Sequence, residues 1–359
     1  MDQAIVTKIE RFIGETLDSD DVKLSDIHKL SGGAIQENWA MVLQVKGQLP
    51  EDIVLRCDAP SGLSTSHSRE EEYALLKTAF DAGVTVPEPL FLGQLSVFER
   101  SFFIMRRANG VAVGHKVVKD LSLGGDRELL VAEIGRQMAK IHSITPDVSS
   151  TSGSSLSSSS ESESMSESGV LDFLPLPAGS AVQASIAEFR QFLDNHHTAF
   201  PALEWGIRWL ELNEPEPLPL SLVHRDFRTG NYMVDETGLT AVLDWEFCTW
   251  ADPREDLGWF CAGCWRFGRN DLEAGGIGSK QALLDGYNRA SGMMLEKDDL
   301  DYWEVFAHIR WAVIAIIQGE RHVSGAEPSL ELALTAHIVP ELEWEILRMT
   351  GLRTEEVSV

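Results

Sequence analysis

The chain has 359 residues, 43% of them hydrophobic and 24% charged, with a formal net charge of −26, which suffices for two cores of ordinary domain size. That acidity excludes nucleic acid or an anionic membrane surface as the expected main partner, because both draw on clustered Lys and Arg. Four cysteines are too few for a disulfide framework, Asp2, Lys8, Glu10 and Arg11 break up any secretory signal, and the apolar run Trp311 to Ile317 is too short to span a bilayer, so a cytoplasmic enzyme is expected.

In chain order, Ile27 to Leu30, Gln36 to Val45 and Ile53 to Arg56 read as three strands. The turn Ser31-Gly32-Gly33 lies between the first two, where small residues would let backbone N–H groups approach phosphate oxygens. An ordinary hairpin turn explains the same two glycines. Arg56, on the third strand, is the candidate for neutralising phosphate, and its fork can pair with a carboxylate as well. Ser68 to Phe80 reads as a helix, with Tyr73, Leu76 and Phe80 on one face. Its triple Glu70-Glu71-Glu72 suits a helix N-terminus; Glu72 is the chosen partner for Arg56, although spacing does not fix the rotation that separates it from its neighbours. Val84 to Leu90 leads into another strand, and SFFIMRRANG reads as a hinge strand in which Phe103 to Met105 would border an adenine and backbone groups at Met105 to Arg107 would read its edge.

A helix containing Ile134, Met138 and Ile141 follows. Val148 to Ser168 is almost wholly Ser, Thr and Glu, too polar to bury a core of its own, and reads as a surface insertion within the second lobe.

The most informative stretch is VHRDFRTGNYMVDETGLTAVLDWE, from Val223 to Glu246. Leu222 and Val223 form a short buried strand; Arg225 to Gly230 form a polar loop carrying Asp226, with Gly230 as its turn residue. Tyr232 to Val234 and Leu239 to Leu243 read as a hairpin around Glu236-Thr237-Gly238, returning Asp244 beside Asn231. Phosphoryl transfer needs a carboxylate to orient the attacking hydroxyl and oxygen ligands for Mg²⁺ across the nucleotide phosphates. Asp226 fits the first role; Asn231 and Asp244 fit the second, since Mg²⁺ takes only one or two protein oxygens. Arg228 joins Asp226 as a catalytic candidate in the loop, and Glu246 is a candidate for a second metal position.

From Asp256 onward the pattern is helical and rich in tryptophan. Trp245, Trp250, Trp259, Trp265, Trp303 and Trp311 read mainly as core, with a pocket for an apolar or quaternary-ammonium group as the competing interpretation. Tyr302 to Ile317 reads as a buried central helix carrying His308 and Arg310. Cys261 and Cys264 form a lone CxxC without the second ligand pair that zinc would need.

HRDFRTGN, AVLDWE and ADPREDLGW together resemble the aminoglycoside phosphotransferase and choline kinase-like superfamily, in particular its branch related to the kinase-like domain fused to some acyl-CoA dehydrogenases. The resemblance covers nearly the whole chain. It implies an α+β, two-lobed protein-kinase-like fold, with a small antiparallel-sheet lobe over residues 1–107 and a mostly helical lobe over 108–359. It also implies Asp226 as the catalytic aspartate, Asn231 and Asp244 as Mg²⁺ ligands, His224 as the residue that orients the loop, and Asp256 as a brace for the loop backbone. Arg56 stands where kinases usually carry Lys. Protein kinases follow the metal aspartate with Phe-Gly and an activation segment; Trp245-Glu246 here favours a small-molecule kinase using ATP and Mg²⁺ on a hydroxyl acceptor. Two other readings stay open: a hydroxyacyl-CoA kinase, and a nucleotide-binding regulator without turnover.

Overall fold

The computed structural model describes residues 1–30, 36–58, 66–93, 100–147 and 169–351. The glycine turn at Gly32 and Gly33 and the Ser/Glu-rich stretch therefore lie outside the described residues.

The chain opens with a helix that the sequence reading left out, α1 (Gln3–Leu17), capped by the Asp2 side chain. It leads into β1 (Val22–Lys29), β2 (Gln36–Val45) and β3 (Glu51–Asp58). After α2 (Arg69–Asp81) come β4 (Pro89–Gly93) and β5 (Phe102–Arg106). The five strands form one antiparallel sheet in the order β1-β2-β3-β5-β4. The sheet's period of two decides which side chain meets which helix. On β3, Ile53, Leu55 and Cys57 join the core beneath α1, formed by Val6, Ile9 and Ile13. Val54 and Arg56 therefore point to the opposite face, towards α2.

The α2 face is not a separate core. Leu75, Leu76 and Phe103 belong to one continuous apolar cluster with Val117, Leu130, Trp245 and Phe260 of the larger lobe. The first lobe is thus anchored to the second through α2 and the second face of its sheet.

The larger lobe contains α3 (Gly114–Lys119), α4 (Arg127–His142), α5 (Ala181–Asn195) and α6 (Pro201–Leu212). Two short antiparallel pairs follow: β6 (Ser221–Val223) with β9 (Thr249–Ala251), and β7 (Tyr232–Val234) with β8 (Leu239–Val242). The predicted hairpin is β7-β8; β9, which closes the loop segment onto β6, was not read from the sequence. Then come α7 (Arg254–Cys261), α8 (Lys280–Ser291), α9 (Asp301–Val323), α10 (Leu330–Ala336) and α11 (Val339–Met349). The predicted central helix is α9, buried along most of its length from Tyr302 to Gly319. It packs with α5, α6 and α11 into a second core around Trp303, Phe306 and Ile309.

Helices α4 and α8 touch backbone to backbone. A Cβ at Gly286 would overlap the Ala132 carbonyl, and one at Gly135 would overlap the Leu283 carbonyl. Glycine is needed at both positions for closeness, not for an unusual φ. The pair carries His142 at the end of α4, directly beneath the loop that joins β6 to β7.

All four cysteines are free: Cys57, Cys248 and Cys261 are buried and Cys264 is half-buried. Burial pushes every one of these thiols above its ordinary range. Among the described residues, neither Cys261 nor Cys264 belongs to a group of three or more His, Cys, Asp and Glu side chains close enough to share a metal ion. Among the described residues, no helix is long and apolar enough to cross a membrane.

Candidate active site

The loop between β6 and β7 is held from below by a single carboxylate. Asp256, on α7 and fully buried, accepts the backbone N–H of His224 at 2.7 Å and that of Arg225 at 2.8 Å. His142 Nε2 reaches the same group at 3.1 Å. Burial alone would penalise the charge on Asp256; the hydrogen bond and charge of His142, aided by His224, outweigh it and hold the carboxyl below its ordinary range. Clamped this way, Arg225 adopts φ 65°, a left-handed backbone that non-glycine residues rarely occupy without outside support. Its side chain pairs with Glu255 at 3.1 Å.

His224 ties the loop to the neighbouring strand. Its Nε2 donates to the Leu243 carbonyl at 2.8 Å, which leaves Nδ1 to accept the Asp226 N–H at 3.3 Å. One neutral tautomer satisfies both bonds, and the fully buried ring ties the loop to the Leu243 strand end.

Asp226 emerges above this base. Arg228 Nε and Trp259 Nε1 each donate to its Oδ1 at 3.2 Å, and Asn231 Nδ2 donates to its Oδ2 at 2.5 Å and to its backbone carbonyl at 2.9 Å. Both bonds from Asn231 use its NH₂ group, leaving the amide oxygen as the atom able to face a cation. Gly230, with φ 119°, makes the turn between the two residues.

Asp244 arrives from the hairpin as expected: Leu243 N–H donates to the Asn231 carbonyl at 2.8 Å. Asp244 also has a left-handed backbone, with φ 61°, and its side chain is 36% exposed. Arg56 Nη2 pairs with its Oδ1 at 3.1 Å, while Arg56 Nε pairs with Glu72 at 2.9 Å. The chosen glutamate is thus the one beside Arg56; Glu70 instead accepts the Ser101 hydroxyl, and Glu71 closes the capping box of α2. Arg69 was not foreseen as part of this group. It lies three residues before Glu72, bonds the same carboxylate, and pairs with Asp58 at 3.0 Å.

Glu246 lies at the lobe junction, where it accepts Gln36 Nε2 through its side chain and His67 N–H through its carbonyl. Burial pushes its carboxyl up to about 7, with Asp244 and Asp226 adding to the shift and Arg56 and Arg69 opposing it. Further out, Met105 pairs with Val54 and Pro89 within the sheet. The N–H of Arg106 is taken by Glu88 and that of Arg107 by the Asp52 carbonyl at 2.9 Å, so in this structure the N–H groups at the hinge end of β5 are bonded within the chain.

On the other side of Asp226 stands a tryptophan wall. Trp259 contacts Trp265 and Trp311, with centroids 5.2 and 6.4 Å away. Arg310 stacks on Trp259 and Arg228 on Trp265. Burial, with the Arg225 guanidinium alongside, pushes Arg310 down to about 10, so it remains cationic at neutral pH. Guanidinium groups already occupy two ring faces, which sets this wall apart from an empty cage for a quaternary ammonium. His308, by contrast, is a buried residue of α9 bonded to the Glu304 carbonyl at 2.6 Å. Beyond Trp311 lies an open apolar groove of about 590 Å³ lined mainly by Leu330, Leu334 and Ile338, the two leucines largely exposed.

Set against known proteins, residues 26–293 match the sequence profile of the phosphotransferase enzyme family. Acyl-CoA dehydrogenase family member 10 of Mus musculus is 28% identical over 325 residues, 84% of this chain and 28% of that protein, so the chain spans well under a third of that relative's length. A Ralstonia eutropha protein provisionally classed as an aminoglycoside phosphotransferase superposes with a TM-score of 0.71 at 21% identity, covering 97% of this chain and 99% of that one. Aminoglycoside phosphotransferase APH(4)-Ia, crystallised with AMP-PNP and hygromycin B, superposes with a TM-score of 0.58 at 18% identity, covering 97% and 100%. At these identities the solved structures establish a shared kinase-like fold.

Proposed function

This chain belongs to the phosphotransferase enzyme family, and from that premise we propose that it is an ATP- and Mg²⁺-dependent kinase that moves the γ-phosphoryl group to a hydroxyl of a small molecule. The observation that carries the reading is the meeting of Asp226, Asn231, Asp244 and Arg56 at one cleft, each supported by a second residue. Asp226 accepts or orients the acceptor's hydroxyl proton, with Asn231, Arg228 and Trp259 fixing its carboxylate. The Asn231 amide oxygen and the partly exposed Asp244 carboxylate are hard oxygen donors that suit Mg²⁺, with Glu246 as the candidate at a second position. The ion, when bound, neutralises charge on the transferring phosphate. Arg56, held by Glu72, adds a cationic fork to the phosphate side; Gly32, Gly33, Met105 and Arg107 are the remaining candidates for nucleotide contact.

Replacing Arg56 tests the nucleotide half of the proposal. Arg56→Ala removes a charge-assisted contact and is expected to raise the Kd for Mg·ATP about 10- to 100-fold by calorimetry. Arg56→Lys keeps the charge without the fork and should fall between. Unchanged affinity in both variants would remove Arg56 from the site.

One observation favours a particular acceptor class. The half-buried guanidinium of Arg228 and the open apolar groove beyond Trp311 suit an acceptor with an anionic or polar head and an apolar tail better than a polycationic amino sugar, while Arg310 is buried against Trp259 and Glu255. The hydroxyacyl-CoA alternative has that chemistry, and the curated relative is an acyl-CoA dehydrogenase family member. Purified protein incubated with Mg²⁺ and ATP against aminoglycosides, choline-like alcohols, sugars and hydroxyacyl-CoAs, with ADP release as the readout, decides between them. Acceptor-dependent ADP release identifies the class. Nucleotide binding with silence across the panel would favour the regulator without turnover.

A further inference from the structure

Away from the cleft, where α5 ends and the last turns of α9 pass, two imidazoles and a carboxylate converge. His196, His197 and Glu320 each offer one ligand atom, and these atoms all lie within 4.8 Å of one another. They are the one such group of His, Cys, Asp and Glu side chains among the described residues. They line a cavity of about 390 Å³ together with Glu188, Gln191, Phe192 and Asn195, so a second carboxylate borders the space.

The arrangement has the parts a metal centre needs beyond proximity. His196 Nε2 faces Glu320 Oε1 at 2.9 Å, and its side chain is only 7% exposed. Its other nitrogen, Nδ1, accepts the Thr198 N–H at 3.0 Å and lies 3.2 Å from the Thr198 carbonyl. In this structure Nε2–H therefore donates to Glu320; an ion would take the place of that proton, and the Thr198 carbonyl is within reach to accept a proton carried on Nδ1 instead, the outer-shell bond that usually fixes a ligating imidazole. Phe192 and Phe200 hold the ring at centroid distances of 5.5 and 5.1 Å. His197 stacks on His196 with centroids 4.5 Å apart and planes 24° from parallel.

We infer that His196, His197 and Glu320 form a binding site for a first-row divalent transition ion, with zinc as the expected occupant. Two imidazoles and one carboxylate are a borderline-soft donor set, matched to Zn²⁺ and poorly matched to Mg²⁺ or Ca²⁺. Tetrahedral ligands at about 2.0–2.2 Å stand about 3.3–3.5 Å apart, so the His196–Glu320 pair opens by about half an ångström to admit the ion. The opening is small because Glu320 is on an exposed side chain. Water completes the shell on the open side. The ion would join the α5 end to α9, the helix that also carries Arg310 and Trp311, and its loss would loosen that joint without removing any residue of the phosphotransfer cleft.

Full-length chain, stripped with a chelator and saturated with Mg²⁺ and AMP-PNP to fill the cleft, is titrated with Zn²⁺ against a chromophoric competitor. One ion per chain is expected, unaffected by excess Mg²⁺, together with a rise in Tm and, for the Co²⁺ form, visible d–d bands. His197→Ala and Glu320→Gln, both at exposed positions and checked for native circular dichroism, should each weaken Zn²⁺ binding at least about 10-fold and abolish the Co²⁺ spectrum. Zn²⁺ binding that is equal in wild type and in both variants, or no saturable binding at all, overturns the site. Neither readout depends on catalytic turnover.

Discussion

Asp226→Asn is expected to lower kcat by about 10²- to 10⁴-fold, the usual contribution of a positioned general base, while nucleotide affinity stays within about threefold of wild type. The substitution keeps the size of the side chain and removes its charge. In the wild type every group on the Asp226 carboxylate is a donor: Arg228 and Trp259 on one oxygen, Asn231 on the other. An amide presents NH₂ to one of those donors and can no longer take a proton from the acceptor. The phosphate side, built on Arg56, Glu72 and Asp244, is not touched by the change. Steady-state ADP release with the acceptor found in the panel, beside calorimetric titration of Mg·ATP, separates the two effects. A variant that retains more than about a tenth of wild-type kcat would take the base role away from Asp226.

Asp256→Ala is expected to cost about 3–5 kcal/mol of stability, the scale for removing one partner from a buried charged pair. Three donors lose their acceptor together: His142, the His224 N–H and the Arg225 N–H. The last two bracket Arg225 in its left-handed conformation, so the loop carrying Asp226 should lose its shape as well as its support. Because the folded carboxyl titrates below its ordinary value of 3.8, its contribution is fully present above that pH and lost only as the pH falls through the folded value. Urea unfolding at neutral pH therefore reads the full effect. Asp256→Asn, which can still accept one backbone N–H, should fall between wild type and Ala. A shift under about 1 kcal/mol for Asp256→Ala would show that the brace is dispensable.

Much of the site was legible because its chemistry is local. The spacing of Asp226, Asn231 and Asp244 along a loop and a hairpin is enough to bring them together, since a two-stranded pair returns the chain to its starting edge. Arg56 and Glu72 needed one further fact, the rotation of α2, which packing of Leu75 and Leu76 against the larger lobe decides. What escaped the sequence was tertiary. Trp259 is three residues beyond Asp256 on α7, one helical turn up the same face; because Asp256 binds the loop at 224–225, that spacing was the available sign that Trp259 would reach Asp226. Arg69 was legible in the same way, three residues before Glu72. The helix α1 and the strand β9 escaped because both are defined by what they cover, the outer face of the sheet and the open edge of β6.

The shielding of the native thiols, three buried and Cys264 half-buried, has a practical consequence for testing whether this protein moves. Cys57, Cys248, Cys261 and Cys264 are shielded, and their protons are held more tightly than in free cysteine, so the thiolate that maleimides attack is scarce in the folded chain. A cysteine introduced on the surface of each lobe would then be the pair of positions that takes dye. The distance between the two dyes would report whether the lobes move when nucleotide is added, with no need to strip the native cysteines first.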